Sequence, residues 1–212
     1  MLFGFRQIAS LEDDDDRSVV ARMSGAEPEG VGRLGMQIFL GSLTFVFGAS
    51  ILLYVILMKS QKAPAVGVIE FVQAGLIAST AILLVSSWTL RKSTQAIAKH
   101  DDRAGLAKWL RVTLGLGYLF VASQTWVWFT VLNSGLKLDA TNRHAAFFVV
   151  LTVLHALHVA GGIVRLHQVT ARAKRGEYSK ASCESVLNAA MYWHYLDIVW
   201  LLMLGAILWL SS

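Results

Sequence analysis

Cysteine, proline and charge are all scarce in this chain, and each scarcity removes a class of protein. The one cysteine, Cys183, cannot form an internal disulfide, and there is no cysteine cluster to hold a metal or an iron–sulfur centre, so thiol redox chemistry is not expected. Both prolines, Pro28 and Pro64, lie outside the long apolar runs. A transporter built on broken helices around a mid-membrane cavity would need interruptions that these runs do not supply. Charged residues make up only 16% of the chain against 55% hydrophobic, well below the roughly 25% charge of a soluble domain. The charges that remain collect between apolar stretches instead of alternating with them.

Those stretches are residues 34 to 58, 67 to 90, 112 to 134, 144 to 170 and 186 to 210. Each is long enough to cross a bilayer, which takes about 20 apolar residues in a helix. Backbone groups in lipid must be satisfied within the segment, so uninterrupted spans without polar alternation are expected to be helices and not barrel strands. The fold class that follows is an all-α membrane protein, a bundle of five transmembrane helices in one domain over 34–212. Residues 1–33 carry no apolar core after a basic start and include an acidic run from Glu12 to Asp16. They read as a cytoplasmic N-terminal tail, partly disordered or partner-bound, and not as a signal peptide.

The net charge of +5 is better explained by topology than by nucleic acid. Arg6, Arg17, Arg22 and Arg33, the basic residues from Arg91 to Arg111, and those from Arg165 to Lys180 fall on the N-terminal side of the spans. Only Lys59, Lys62, Lys137 and Arg143 fall opposite. The positive-inside rule then puts the N-terminus and the loops near 100 and 175 in the cytoplasm and the C-terminus outside. The inner connections are expected to run to roughly 15 to 20 residues and the outer ones to roughly eight, with consecutive helices antiparallel.

Three residues of the Asp, Glu, Lys and Arg set lie within the spans: Glu70, Arg165 and Asp197. At bilayer depth such a group costs several kcal/mol unless paired or hydrated, so each needs a partner or a task. Glu70 is near the end of its span and within reach of water. Asp197 lies close to mid-membrane, with His194 one turn earlier on the same face. That pair reads as a structural lock between helices or as part of a proton relay. His155 and His158 are one turn apart on the fourth span, and an antiparallel pairing suggests contact between His158 and Asp197. The H-x-x-H spacing is also open to metal or haem ligation, although zinc normally takes three or four protein ligands. Arg165, Arg172, Lys174 and Arg175 crowd one helix end, where they suit the helix C-terminus, hold lipid phosphates, or simply set topology. Gly35, Ser42 and Ala49, and Ala156 with Ala160, form stripes that let helices approach closely. Trp88, Trp109 and Trp209 sit near expected interfaces, while Trp126, Trp128, Trp193 and Trp200 lie deeper and are expected to face neighbours.

Several of these residues also carry a resemblance. Met191 to Trp200, M-Y-W-H-Y-L-D-I-V-W, resembles the Y-W-H-F-V-D-V-V-W signature of subunit III of the haem-copper oxidases. Residues 149 to 162 are similar to that family's V-L-T-G-x-H-G-L-H-V-x-x-G stretch, and residues 34 to 42 to its L-G-M-W-L-F-L-A-S. The region from Ser86 through Gln124 to Trp128 resembles its S-S to Q-x-x-E-W segment, and the length resembles the five-helix form. The resemblance implies a subunit with no cofactor of its own, haem and copper residing in partner subunits. It would pack against subunit I and other oxidase subunits, stabilise the catalytic core and bind phospholipid. It further implies that Arg172 contacts a lipid phosphate and that His155, His158, Trp193, His194 and Asp197 make interhelical or subunit contacts. Where the family commonly has glutamate, this chain has Leu43, Val127 and Leu187. Those departures argue against a proton-carrying role and are compatible with a divergent branch, such as an accessory subunit of a nitric oxide reductase.

Overall fold

A computed structural model of the chain describes residues 31–58, 66–133 and 143–211. The expected tail, apart from residues 31–33, lies outside them, as do Lys59, Lys62, Lys137 and the side chains of Glu70 and Arg143. The chain divides into two compact units, Met1–Gly35 and Met36–Ser212. Within the described residues there are five helices and no named strand: α1 (Val31–Met58), α2 (Val66–His100), α3 (Arg103–Asn133), α4 (Arg143–Lys174) and α5 (Glu184–Ser211). All five are long and apolar enough to cross a membrane.

Four of the helices close a ring, in which α2 packs on α3, α3 on α4, α4 on α5, and α5 back on α2. Leu76, Leu83, Leu90 and Ile97 recur every seven residues along α2 and are almost fully buried, the spacing of a seam between close-packed helices. α1 joins through large side chains. Phe47 meets the His158 ring edge-on at 5.0 Å, Phe39 lies 5.9 Å from the Tyr192 ring, and Thr44 Oγ1 is 3.3 Å from the Tyr195 hydroxyl.

α2 and α3 are longer than the apolar runs that announced them. Only Asp101 and Asp102 separate them, where the charge pattern suggested a connection of roughly 15 to 20 residues. The reason is amphipathic. Ala96, Ile97, Leu106, Ala107 and Leu110 are buried between the two helices, while Arg91, Lys92, Lys99, Arg103 and Lys108 point outward, a helical periodicity that averaged hydropathy hides. Asp101 takes a left-handed conformation, φ 50°, which aspartate tolerates better than most residues. Asp102 then caps α3, its Oδ1 accepting from the Gly105 amide at 2.8 Å.

α4 ends in a Schellman turn: Gly176, φ 72°, donates to Ala173 O at 3.1 Å and Glu177 to Arg172 O at 3.2 Å. The two turns lie at the same end of the bundle and touch. The Lys180 amide donates to Asp101 Oδ1 at 2.7 Å, and the Arg103 guanidinium to Gly176 O at 3.4 Å. Cys183 is buried in this region, and burial pushes its thiol pKa up, which suits an unreactive packing role.

Candidate functional site: a polar seam centred on the last helix

α5 sits at the junction of the bundle and carries a different set of polar contacts on each face. Toward α3 and α4, the Trp193 ring fills the space opposite two glycines. A Cβ built on Gly117 would stand 3.0 Å from that ring, and one on Gly162 3.2 Å. The indole N–H of Trp193 donates to Ser86 Oγ of α2 at 3.0 Å, both residues being buried. One pair of turns further along, Trp200 donates to Thr80 Oγ1 at 2.9 Å, meets Phe120 edge-on at 5.2 Å, and lies 5.4 Å from the His155 ring. A single tryptophan thus joins three other helices.

Toward α2, Ser87 Oγ lies 2.7 Å from His194 Nδ1, and the same nitrogen is 3.5 Å from Asp197 Oδ2. Serine, histidine and aspartate in one cluster suggest a hydrolytic triad, but the geometry excludes it. A triad uses opposite ring nitrogens for the serine and the carboxylate, whereas here both face Nδ1. Asp197 is 5% exposed, and neither carboxylate oxygen has a hydrogen-bond partner of good geometry among the described residues.

The expected contact between His158 and Asp197 does not form. His158 Nδ1 bonds to Leu154 O at 2.7 Å, its own carbonyl accepts from the Tyr192 hydroxyl at 3.0 Å, and its ring packs on Phe47. His158, on α4, packs against Phe47 of α1 and Tyr192, whereas Asp197 lies with His194 beside Ser87 of α2. His155 is fully buried, and its ring also faces Phe47, at 6.1 Å. Among the described residues no group of three or more His, Cys, Asp or Glu could hold a metal ion.

At the end of α4, Arg172 pairs with Glu177 at 2.8 Å and covers the Tyr178 ring at 5.5 Å. Arg175 grips the other oxygen of the same carboxylate. This fork holds the Glu177 carboxyl below its ordinary pKa, the Arg175 hydrogen bond contributing most. Nearby Tyr178 is pushed up, chiefly by burial. Arg165, His167, Arg172 and Arg175 line a shallow groove beside Tyr178.

Sequence reading missed the hydroxyl partners. Ser79, Thr80, Ser86, Ser87, Thr89 and Thr113 look like ordinary small residues of an apolar span, yet Thr89 and Thr113 share a 2.8 Å bond and Gln124 donates to Ser79 at 2.5 Å. Their recurrence along α2 at residues 79, 86 and 93, all buried, is the signal that was available. Trp126 was placed wrongly. It is largely exposed, like Phe129, because Gln124 and Val127 occupy the inward positions of that turn. The stripe of Gly35, Ser42 and Ala49, expected to be a close-packing face, is exposed along its length.

Comparison with known proteins bears on what this seam belongs to. The sequence model of the family described as cytochrome c oxidase subunit III matches residues 29–212. A protein named cytochrome c oxidase subunit 3 from Synechocystis is 35% identical over 78% of this chain and 66% of its own length. One of the same name from Thermostichus vulcanus is 34% identical over 80% of this chain and 83% of its own. A probable cytochrome c oxidase subunit 3 of Nocardia farcinica is 31% identical, the match covering 58% of this chain and 59% of that one. The alignment therefore spans just under two thirds of the Synechocystis relative, and more of the Thermostichus one.

Proposed function

This chain belongs to the cytochrome c oxidase subunit III family and is a multi-pass membrane protein, and from that premise we propose that it is the non-catalytic third subunit of a haem-copper terminal oxidase in a bacterial cytoplasmic membrane. In this reading oxygen is reduced on haem and copper held by partner subunits, chiefly subunit I. The present chain stabilises that core and binds phospholipid. The N-terminus and the joined turns at 101 and 176 lie on the cytoplasmic side, as the charge distribution favours.

The observation that carries the reading is the use of the last helix. Trp193, His194 and Trp200, the residues that mark the motif, are all engaged in contacts that tie helices together. Such contacts position a scaffold. The partly exposed His194 edge and the open small-residue face of α1 offer surfaces on which partner helices can approach closely. At the other end, Arg172 uses one N–H on Glu177 and keeps further donors at the surface. With Arg165 and Arg175 beside it, that cluster suits a lipid phosphate.

Asp197→Leu tests the assembly role. It should reduce recovery of the catalytic subunit with the affinity-purified chain while membrane insertion stays normal; unchanged co-purification would count against it. Native mass spectrometry of the complex should show retained phospholipid that is depleted by Arg172→Ala. The same spectra identify the co-eluting catalytic chain, and so separate an oxygen-reducing partner from a nitric oxide reductase.

A further inference from the structure

The deepest part of the seam contains polar atoms that its hydrogen bonds leave over. His155 is 1% exposed, and both of its ring nitrogens lack a hydrogen-bond partner among the described residues. Gln124 is 4% exposed; its amide nitrogen donates to Ser79, but its Oε1 has no partner. The two side chains come from α4 and α3 and line one small cavity, closed by Phe120, Trp128, Thr152 and Trp200. Orphaned polar atoms at this depth cost far more than orphaned atoms at a surface, because no bulk water reaches them.

From this arrangement we propose that the cavity is a binding site for a single water molecule that bridges the His155 ring to Gln124 Oε1. The space admits about one water and no larger polar ligand. An imidazole in any protonation state carries at least one N–H, so a water can accept from His155 and donate to Gln124 Oε1. The hydroxyl of Thr152 lines the same wall but already donates to Val149 O and accepts from Trp128, so His155 and Gln124 are the two partners, the lower end of the usual two to four of a buried water. The bridge completes a continuous string across three helices: Leu76 O and Ser79 of α2, Gln124 of α3, the water, and His155 of α4. A metal ion is a poor occupant, since His155 has no second imidazole, thiolate or carboxylate beside it in the cavity lining.

The test uses the intact membrane complex, in lipid, at a resolution that shows ordered waters. Density is expected inside the cavity about 2.7 to 3.2 Å from a His155 nitrogen and from Gln124 Oε1. In nitrogen-15 spectra of the same material, the His155 ring should show exchange contact with water protons. His155→Phe and Gln124→Met should each lower the thermal midpoint, and the double variant should be no worse than the more damaging single one, because the second change removes a group already stranded by the first. An empty cavity, a direct bond between His155 and Gln124, or fully additive losses would each overturn the proposal.

Discussion

Trp193 is held between two glycines from different helices, and the space it occupies sets the cost of enlarging either. A Cβ at Gly162 would lie 3.2 Å from Cε3 and Cζ3 of the ring and 3.3 Å from Leu196 Cδ1; one at Gly117 would lie 3.0 Å from Cη2, the carbon next to Cζ3. Ordinary carbon contacts are about 3.5 to 4.0 Å, so the ring must move by roughly half an ångström. Its indole N–H is anchored on Ser86, which restricts that shift. Overpacking of this kind costs about 1 to 3 kcal/mol, against at most about 1 kcal/mol gained from the better helix propensity of alanine. Gly117→Ala and Gly162→Ala are each expected to destabilise by about 1 to 2 kcal/mol, roughly a fivefold to thirtyfold loss in the folded-to-unfolded ratio. The double variant should depart measurably from the sum of the two, since both Cβ atoms press on the same ring. Gly41 and Gly48 on α1 have nothing within 4 Å of a built Cβ, so their alanine variants provide the control and should be neutral or slightly stabilising. Titration with sodium dodecyl sulfate in mixed micelles, followed by tryptophan fluorescence, reads all five proteins on one scale. Clamp variants as stable as the α1 controls would refute the reasoning.

Three further outcomes are expected. Ser86→Ala strands the buried indole N–H of Trp193 and should cost roughly 1 to 2 kcal/mol in the same titration. Val127→Glu puts a carboxylate at a position that is only 2% exposed and where a Cβ on Gly75 would already collide with the Val127 side chain; it should cost several kcal/mol and collapse the yield of folded protein, while Leu187→Glu, at a 40% exposed position, should be recovered at near wild-type levels. The fork that Arg172 and Arg175 form on Glu177 depresses that carboxyl's pKa, so its contribution is complete above the ordinary value of 4.5 and is lost as the pH falls through the lower folded-state value. Limited proteolysis at residues 175–183 should therefore be slow and pH-independent from neutrality down to that value and accelerate below it, and Glu177→Gln should be cleaved at the faster rate throughout.

The five helices could be read from the sequence because apolar run length is a local property with one physical solution in lipid. The long extension of α2 and α3 around residues 90 to 111 could not, since Ile97 and Leu110 are buried only once the chain is folded, where α2 packs on α3, and charged residues lie close to them in sequence. Asp197 and His194 stood out because charge is costly at that depth, and the structure places them together. Their third member, Ser87, was invisible: a serine in a membrane helix usually bonds its own backbone, as Ser42 does with Ile38 O, and only the packing of α5 on α2 redirects it. The guess that paired His158 with Asp197 failed for a related reason. Depth along two helices can be counted from sequence, but rotation about each axis is set by which neighbours surround it. The missing glutamates make sense in these terms, because Leu43 and Val127 are buried apolar contacts, whereas Leu187 faces outward.

The ring of α2 to α5 closes through the last of these five helices to be synthesised. Until α5 leaves the ribosome, Ser86, Ser87 and Thr80 on α2 lack the partners that α5 brings. Biogenesis must therefore hold a half-built bundle with its hydroxyls turned toward lipid or toward a helper. Truncation near the C-terminus would remove the closing piece of a structure whose other parts were all in place.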